Sequence, residues 1–215
     1  MIHNNVIKQT KANYNLIASA FSSKREYLSN DILYFKKYII PKFSVLDLGC
    51  GNGRLVDILN PKTEYLGIDN SSKLLKIARQ KYPKNQFKNQ NILKLKLNKK
   101  FDIVFSLAVL HHLSEEYHLE FVRAVKQYLG KNGIIIISVW KLNKKQLESG
   151  EKQSKKEILI PFKDSGQKIL AKRYIYQFDL KELENLFVEN GFKILESGIQ
   201  NRGKSQNLYL VATII

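Results

Sequence analysis

Three glycines and a carboxylate stand together in the stretch SVLDLGCGNGRLVDIL, residues 44–59. Asp47 lies in an apolar run typical of a strand, and the glycines precede a predicted amphipathic helix. Such a turn lets the backbone approach a nucleotide-like ligand, because no Cβ stands in the way. Arg54 occupies the third glycine position of a dinucleotide fingerprint, and no Gly-Lys-Ser/Thr follows, which excludes a dinucleotide site and a Walker loop.

Asp47 indicates which ligand suits this turn. A carboxylate beside the first glycine would repel a phosphate, whereas it would attract an ammonium or a sulfonium group. S-adenosylmethionine (SAM) carries both of these cations. The stretch therefore predicts a SAM site at the end of the strand.

A second acid ends the next predicted strand. Asp69 closes YLGID, 18 residues after Gly51 (69 − 51), which is the usual place for an acid that binds both ribose hydroxyls. Asp69 could instead cap the predicted helix over 71–81, but Asn70 and Ser71 are equally able to cap it. We therefore expect Asp69 to bind the ribose.

The composition is that of an ordinary globular chain with a large basic excess. At 215 residues and 44% hydrophobic residues, the chain predicts one domain over 1–215. Cys50 is the only cysteine, and neither a signal peptide nor a membrane-spanning run is present, so we expect a cytoplasmic protein. The net charge of +17 fits an RNA partner, but only six of the 36 basic residues are arginine, so compositional drift explains it about equally well.

Short apolar runs alternate with helical patterns along most of the chain. This alternation predicts an α/β fold with a mostly parallel sheet and helices on both faces. Two helical patterns, 13–21 and 30–40, form an N-terminal helical segment within 1–42. The predicted strands are 44–48, 65–69, 86–91, 101–107 and 133–140, and the helices between them are 54–59, 71–81 and 114–129. After a helix over 180–189, strands 193–198 and 207–215 are predicted to form an antiparallel hairpin.

Residues 141–173 interrupt this alternation. They include ten basic and four acidic residues and show little apolar periodicity. The segment leaves the sheet edge at which α/β proteins bind ligands. It is either a solvated insertion or a basic lid over a substrate, and its position favours the lid.

The motifs VLDLGCGNG, YLGID, QNIL, FDIVFSLAVLHHL and GIIIISVW together resemble the class I SAM-dependent methyltransferases. The resemblance covers about half the chain and implies a Rossmann-like, seven-stranded sheet with a C-terminal antiparallel hairpin. It implies a set of cofactor-binding residues, with Asn91 near the adenine: Phe21, Arg25, Asp47, Gly49, Cys50, Gly51, Asp69, Asn70, Asn91, Ile92 and Leu107. Arg25 would pair with the cofactor carboxylate; a surface arginine beside a core Phe21 is the competing interpretation.

A narrower resemblance extends over nearly the whole chain. YNLIASAFSSKREYL, SLAVLHHLS, ILIPF, RYIYQF and NLYLVA occur in the order found in the tRNA wobble-uridine carboxymethyl methyltransferases, including the AlkB-fused methyltransferase domain. Three segments depart from that family, which has Pro-Trp at Pro161-Phe162, Arg-Tyr-Tyr-His at 173–176 and Asp-Asn-Trp at 206–208. The missing Trp and His are groups able to stack on or hydrogen-bond a base.

Four residues are predicted to serve the reaction itself: His112, Arg173, Arg202 and Asn207. His112 follows a strand that leads to the cofactor, and it would be the general base for an amine or hydroxyl acceptor. Adjacent side chains are expected to point apart and only His3 and His118 occur elsewhere, so no metal site is predicted at His111-His112. A carboxylate acceptor would need no base, but it would need a cation such as Arg173 or Arg202.

These residues predict a SAM-dependent methyltransferase that acts on tRNA, with an activating partner subunit as a further possibility implied by the family. A small-molecule O- or N-methyltransferase is the alternative enzyme. A SAM- or RNA-binding module without turnover is the third interpretation.

Overall fold

Parallel strands bring the predicted site residues to one edge of a sheet. The structure is a computed structural model that describes residues 3–25, 29–202 and 205–215. Within these ranges, the strands are Ser44–Leu48 (β1), Glu64–Asp69 (β2), Gln86–Asn89 (β3), Phe101–Leu107 (β4), Leu129–Lys141 (β5), Glu151–Lys152 (β6), Glu157–Lys163 (β7), Ile169–Tyr176 (β8), Phe192–Arg202 (β9) and Ser205–Ile214 (β10). The α-helices are His3–Ser23 (α1), Asn30–Leu33 (α2), Ser72–Lys81 (α3), His118–Tyr128 (α4), Lys144–Ser149 (α5) and Leu180–Val188 (α6).

Seven strands form the main sheet in the order β3-β2-β1-β4-β5-β10-β9. Strands β1 to β5 pair in parallel, whereas β10 is antiparallel to both β5 and β9. This confirms the predicted α/β, Rossmann-like sheet of seven mostly parallel strands with a C-terminal antiparallel hairpin. The N-terminal end of β10 lies beside the carboxyl end of β5, since Asn207 pairs with Trp140.

Helices cover both faces of this sheet and pack against side chains that alternate along the strands. On one face Leu46, Val104 and Ile135 pack with residues of α4 and α6. On the other face, Val45 and Ile103 pack with α3 and with the segment 30–38. Helices therefore cover both faces, as predicted from the apolar runs.

Two predicted helices are shorter or tighter than expected. The pattern over 30–40 is divided into α2 and a 3-10 helix, Tyr34–Tyr38. The pattern over 54–59 is a 3-10 helix, Arg54–Ile58, rather than an α-helix. Pro61 disfavours the helical conformation at Asn60, which leaves too few residues after Gly53 for a longer helix.

The basic insertion has regular secondary structure, which its weak apolar periodicity did not predict. It contains α5 and a three-stranded antiparallel sheet, β6-β7-β8. In β7, Ile158, Ile160 and Phe162 are buried at alternate positions. Strand β6 has only two residues and pairs with Ile158 and Leu159 alone. Among the described residues, no strand therefore pairs with Pro161 on that edge of β7, so the missing N–H of the proline costs no hydrogen bond there.

The C-terminal hairpin is longer than predicted, because most of the expected connection at 199–206 is strand. Helix α1 packs against both α3 and β8, so it touches the main fold and the insertion. Within the described ranges, no helix has the length and apolar content needed to cross a bilayer.

Candidate active site

The glycine turn after β1 adopts a backbone that only glycine accepts easily. Gly49, Gly51 and Gly53 have φ values of +75°, +56° and +78°. A Cβ on Gly49 would also lie 2.2 Å from Cγ2 of Val109. The turn therefore needs its glycines both for their conformation and for the close approach of the segment that follows β4.

Asp69 ties this turn to the end of β2. Its Oδ2 accepts a 2.8 Å hydrogen bond from the Gly51 N–H, and its Oδ1 accepts a 2.7 Å bond from the Ser71 N–H. Burial raises the pKa of Asp69, and these backbone donors oppose the rise. Ser71, not Asp69, caps α3 by accepting from the Leu74 N–H, and each oxygen of Asp69 has a further lone pair for a ligand hydroxyl.

Asp47 is buried beneath the glycine turn. It is 4% exposed, and its Oδ2 accepts a 2.9 Å hydrogen bond from the Tyr65 hydroxyl. Burial raises the pKa of Asp47 to about 7, although the Tyr65 hydrogen bond lowers it. A cation bound beside this carboxyl group would favour its ionised form.

All eleven residues predicted to bind the cofactor line one cavity at the carboxyl edge of the sheet. Its empty volume is about 1160 Å³, open solvent at the mouth included. Asp47 lies in β1, the glycines follow it and Asp69 ends β2, whereas Asn91 and Ile92 follow β3 and Leu107 ends β4. The Oδ1 of Asn91 accepts from the Leu93 N–H, so a contact with a base would fall to the Nδ2 group.

The end of α1 closes one side of this cavity. The Arg25 guanidinium lies 3.7 Å from the centroid of the Phe21 ring, and its Nη1 donates to the Phe21 carbonyl. Both side chains line the cavity. A guanidinium that lines the cavity and stacks on an aromatic ring is compatible with the predicted carboxylate contact.

The two histidines do not point apart, and that expectation is wrong. Ala108, at φ +60°, turns the chain out of β4 into a 3-10 turn, Leu110–His112. This turn places the His111 and His112 rings 4.3 Å apart, both buried. The Nδ1 of His111 accepts a hydrogen bond from the backbone N–H of Trp140. Among the described residues, no group of three or more His, Cys, Asp or Glu side chains is arranged to hold a metal.

His112 is held as a neutral imidazole. Its Nδ1 lies 2.8 Å from the Tyr174 carbonyl and so carries the proton, and its Nε2 accepts a 2.7 Å hydrogen bond from the Tyr14 hydroxyl. Burial lowers the pKa of His112 to about 3. His112 therefore has little capacity to take a proton from an acceptor near neutral pH.

Arg173 is a buried cation between two aromatic rings. It is 8% exposed, and its guanidinium carbon lies 4.7 Å from the Trp140 ring and 5.2 Å from the Phe162 ring. The Tyr14 hydroxyl interacts with the same guanidinium. In the described part of the chain, no carboxylate pairs with Arg173, and its Nε has no hydrogen-bond partner.

Arg173 lines a second cavity beside the first. Its empty volume is about 1510 Å³, open solvent included, and Arg25 and Trp140 line both cavities. The insertion and the start of β10 form the other walls, where Asn207 is buried and donates a 2.8 Å hydrogen bond to Asp31. Six cationic side chains and no acidic ones line this cavity within the described residues: Lys24, Arg25, Lys141, Lys145, Lys163 and Arg173.

The other predicted residue of this region is Arg202. Its backbone ends β9 and pairs with Ser205, but its side chain lies outside the described residues. The predicted carboxylate contact of Arg202 therefore stays a prediction.

Sequence reasoning missed Tyr14, Trp140 and Phe162. Trp140 stands near the end of a buried strand at the carboxyl edge, which is the signal that identified Asp47 and Asp69. Tyr14 lies in the YNLIASAF motif, but its contact with His112 joins residues 98 positions apart and leaves no local trace.

Comparison with known proteins identifies the family. The family model described as a methyltransferase domain matches residues 20–197. The chain is 30% identical over 206 residues to the tRNA (carboxymethyluridine(34)-5-O)-methyltransferase of Schizosaccharomyces pombe, covering 86% of this chain and 89% of that protein. It is 31% identical over 153 residues to the Saccharomyces cerevisiae protein of the same name, covering 69% of this chain and 54% of that protein.

The fold agrees with a solved structure of a S-adenosylmethionine-dependent methyltransferase from Clostridium acetobutylicum. The TM-score is 0.69 at 16% identity, with 89% of this chain and 94% of that chain covered. At that identity the likeness shows the fold alone. The family is shown by the family model, which matches most of the chain. The chain therefore belongs to the methyltransferase domain family and is a SAM-dependent methyltransferase.

Proposed function

We propose that this methyltransferase esterifies a carboxylate, and that its substrate is the carboxymethyl group on the wobble uridine of tRNA. The observation that carries the proposal is Arg173, a buried cation that lines the second cavity and pairs with no carboxylate among the described residues. A buried charge without a partner is costly, so such a group is expected to meet an anion when substrate binds. The names of the relatives that match most of the chain specify a carboxymethyluridine substrate.

The first cavity suits SAM by the chemistry of its lining. Asp47 offers one carboxylate for a cationic group, Asp69 offers two oxygens for ribose hydroxyls, and Gly51 leaves room for close approach. When bound, SAM supplies a methyl group activated by its sulfonium. The eleven lining residues named above are our proposed cofactor contacts.

With Asp47 and Asp69 assigned to the cofactor, the acceptor chemistry depends on whether His112, which lines the same cavity, can act as a base. An amine or a hydroxyl acceptor needs a base whose pKa lies near the operating pH. His112 has a pKa of about 3, and its Nε2 is already hydrogen-bonded to the Tyr14 hydroxyl. A carboxylate is ionised near neutrality and attacks without losing a proton. We therefore assign His112 a positioning role through Tyr14.

The residues around the second cavity would align the reaction. Arg173 would grip both oxygens of the carboxylate with its planar fork, and the Trp140 and Phe162 rings hold that fork in place. One carboxylate oxygen forms the new O–C bond while the methyl–sulfur bond breaks, and the electron pair of the broken bond stays on sulfur. No proton moves, so alignment and exclusion of water carry the catalysis.

The test measures transfer of labelled methyl from SAM to an anticodon hairpin that carries 5-carboxymethyluridine. The same hairpin with unmodified uridine and a metabolite extract are the controls. We expect label only in the carboxymethyl hairpin, and we expect mild alkali to release that label as methanol, because the product is an ester. Alkali-stable label, or label only in the extract, would contradict the proposal. Addition of a cell extract tests whether an activating partner subunit raises the rate.

A further inference from the structure

We propose that four lysines around the second cavity bind the phosphates of single-stranded RNA on either side of the acceptor nucleotide. These lysines are Lys24, Lys141, Lys145 and Lys163, here called the lysine rim. The inference rests on the proposed function, since it places the acceptor nucleotide at Arg173. It adds a separate site, because Arg173 would select the carboxylate and the rim would select a polynucleotide.

The rim is free of the acidic partners that other lysines of this chain have. Lys156 and Lys172, in the same insertion, pair with Glu182 and Glu151. Within the described residues, no carboxylate lies within 4.0 Å of the ammonium group of a rim lysine. With no acid among the described residues of the cavity lining, the rim produces a local positive field that suits a polyanion.

The rim is built from separate elements that meet at the cavity. Lys24 follows α1, Lys141 ends β5, Lys145 lies in α5 and Lys163 ends β7. The ammonium group of Lys24 donates a 2.7 Å hydrogen bond to the Lys163 carbonyl, which joins α1 to the insertion. The cations therefore come from four separate parts of the chain that line one cavity, which allows contacts with more than one phosphate.

The depth of Arg173 favours a single strand over a duplex. Arg173 is 8% exposed and is packed between Trp140 and Phe162. A base stacked in a helix would not reach it, whereas a nucleotide of a loop can be turned out of its stack. Phosphates on the two sides of that nucleotide would then lie near the rim.

The experiment measures binding, without methyl transfer, of a fluorescent anticodon hairpin as salt is raised. The test variant replaces three rim residues, Lys141→Gln, Lys145→Gln and Lys163→Gln. We expect its affinity for the hairpin to fall roughly tenfold or more. We also expect the slope of log K against log salt to become shallower by about 0.7 for each phosphate that is no longer neutralised, roughly 2 in all.

The control variant makes the same change of charge at the opposite edge of the sheet. Lys62, Lys84 and Lys131 are exposed; the first two precede β2 and β3, and Lys131 lies near the start of β5. The variant Lys62→Gln, Lys84→Gln, Lys131→Gln should bind the hairpin with the wild-type slope. Titration with SAM checks that both variants fold.

Equal losses of affinity in both variants would overturn the rim, since net charge alone would then explain binding. A wild-type slope in the rim variant would also overturn it, as would rim-dependent binding to vesicles of anionic lipid but not to the hairpin. None of these results requires methyl transfer, so they are separate from the proposed function. If the hairpin binds through the rim but is never methylated, the proposed reaction is wrong and the proposed role of the rim is unaffected.

Discussion

The Tyr14 hydroxyl donates a 2.7 Å hydrogen bond to Nε2 of His112, although 98 positions separate the two residues. The same hydroxyl interacts with Arg173, and burial raises the pKa of Tyr14. Tyr14 lines the first cavity and packs edge-on against Phe21. One phenol therefore connects the first cavity with the cation of the second cavity.

We expect Tyr14→Phe to impair the use of the acceptor more than the binding of SAM. The ring keeps its packing, but the hydroxyl that fixes the fork of Arg173 is removed. Removal of one hydrogen bond to a charged group predicts a fall in kcat/KM for the hairpin of roughly tenfold to a hundredfold.

Tyr128→Phe is the matched control, because its buried hydroxyl donates to the Leu95 carbonyl away from both cavities. It should lower stability without this kinetic effect. Equal falls in kcat/KM in the two variants would show that Tyr14 acts only through folding.

Asp47 predicts a pH dependence of SAM binding. Its pKa is about 7 in the protein without ligand, and a cationic ligand favours the ionised form. Below pH 7 the ligand must therefore first remove a proton from Asp47, so affinity should fall by up to about tenfold per pH unit. Isothermal titration between about pH 5.5 and 8.5 brackets this pKa and measures the effect, and Asp47→Asn should bind more weakly at the alkaline end with a flatter profile. An unchanged slope in Asp47→Asn would assign the dependence to another group.

Asp69 is expected to act both on the ligand and on the glycine turn. Asp69→Ala removes the proposed ribose contacts and the acceptors of the Gly51 and Ser71 N–H groups. We expect SAM affinity to fall by roughly 1.5–3 kcal/mol. Asp69→Asn keeps one carbonyl oxygen and should weaken SAM binding less. NADH should not compete with SAM for the wild-type protein or for either variant. Binding of NADH but not SAM by the wild type would contradict the cofactor site.

The residues of the first cavity were predictable because their signals are local. Asp47 and Asp69 stand at or near the ends of parallel strands, and such ends meet at one sheet edge whatever the details of packing. The glycines indicated a turn whose backbone a ligand can approach closely, and in the structure Gly49 and Gly51 have the positive φ values that glycine accepts easily.

The second cavity was less predictable because its parts meet only in the folded chain. Strand β7 was missed because both of its faces carry apolar side chains. Leu159 on one face packs against the main core, and Ile158 and Ile160 on the other face are buried in a separate cluster. Apolar residues on both faces hide the alternation that marks a strand. The stacking of Arg173 on Trp140 likewise depends on how the insertion folds over β5.

Arg173 gives the sharpest prediction about the acceptor. Arg173→Lys keeps the charge but removes the planar fork and its stacking on Trp140 and Phe162. We expect kcat/KM for the carboxymethyl hairpin to fall by roughly tenfold to a hundredfold while the affinity for SAM stays unchanged. Arg202→Lys tests the other predicted cation, and Arg123→Lys, on the exposed face of α4, is the control. Wild-type rates for Arg173→Lys would end the role of its fork in holding the carboxylate, whereas a fall confined to Arg202→Lys would move that role to the hairpin turn.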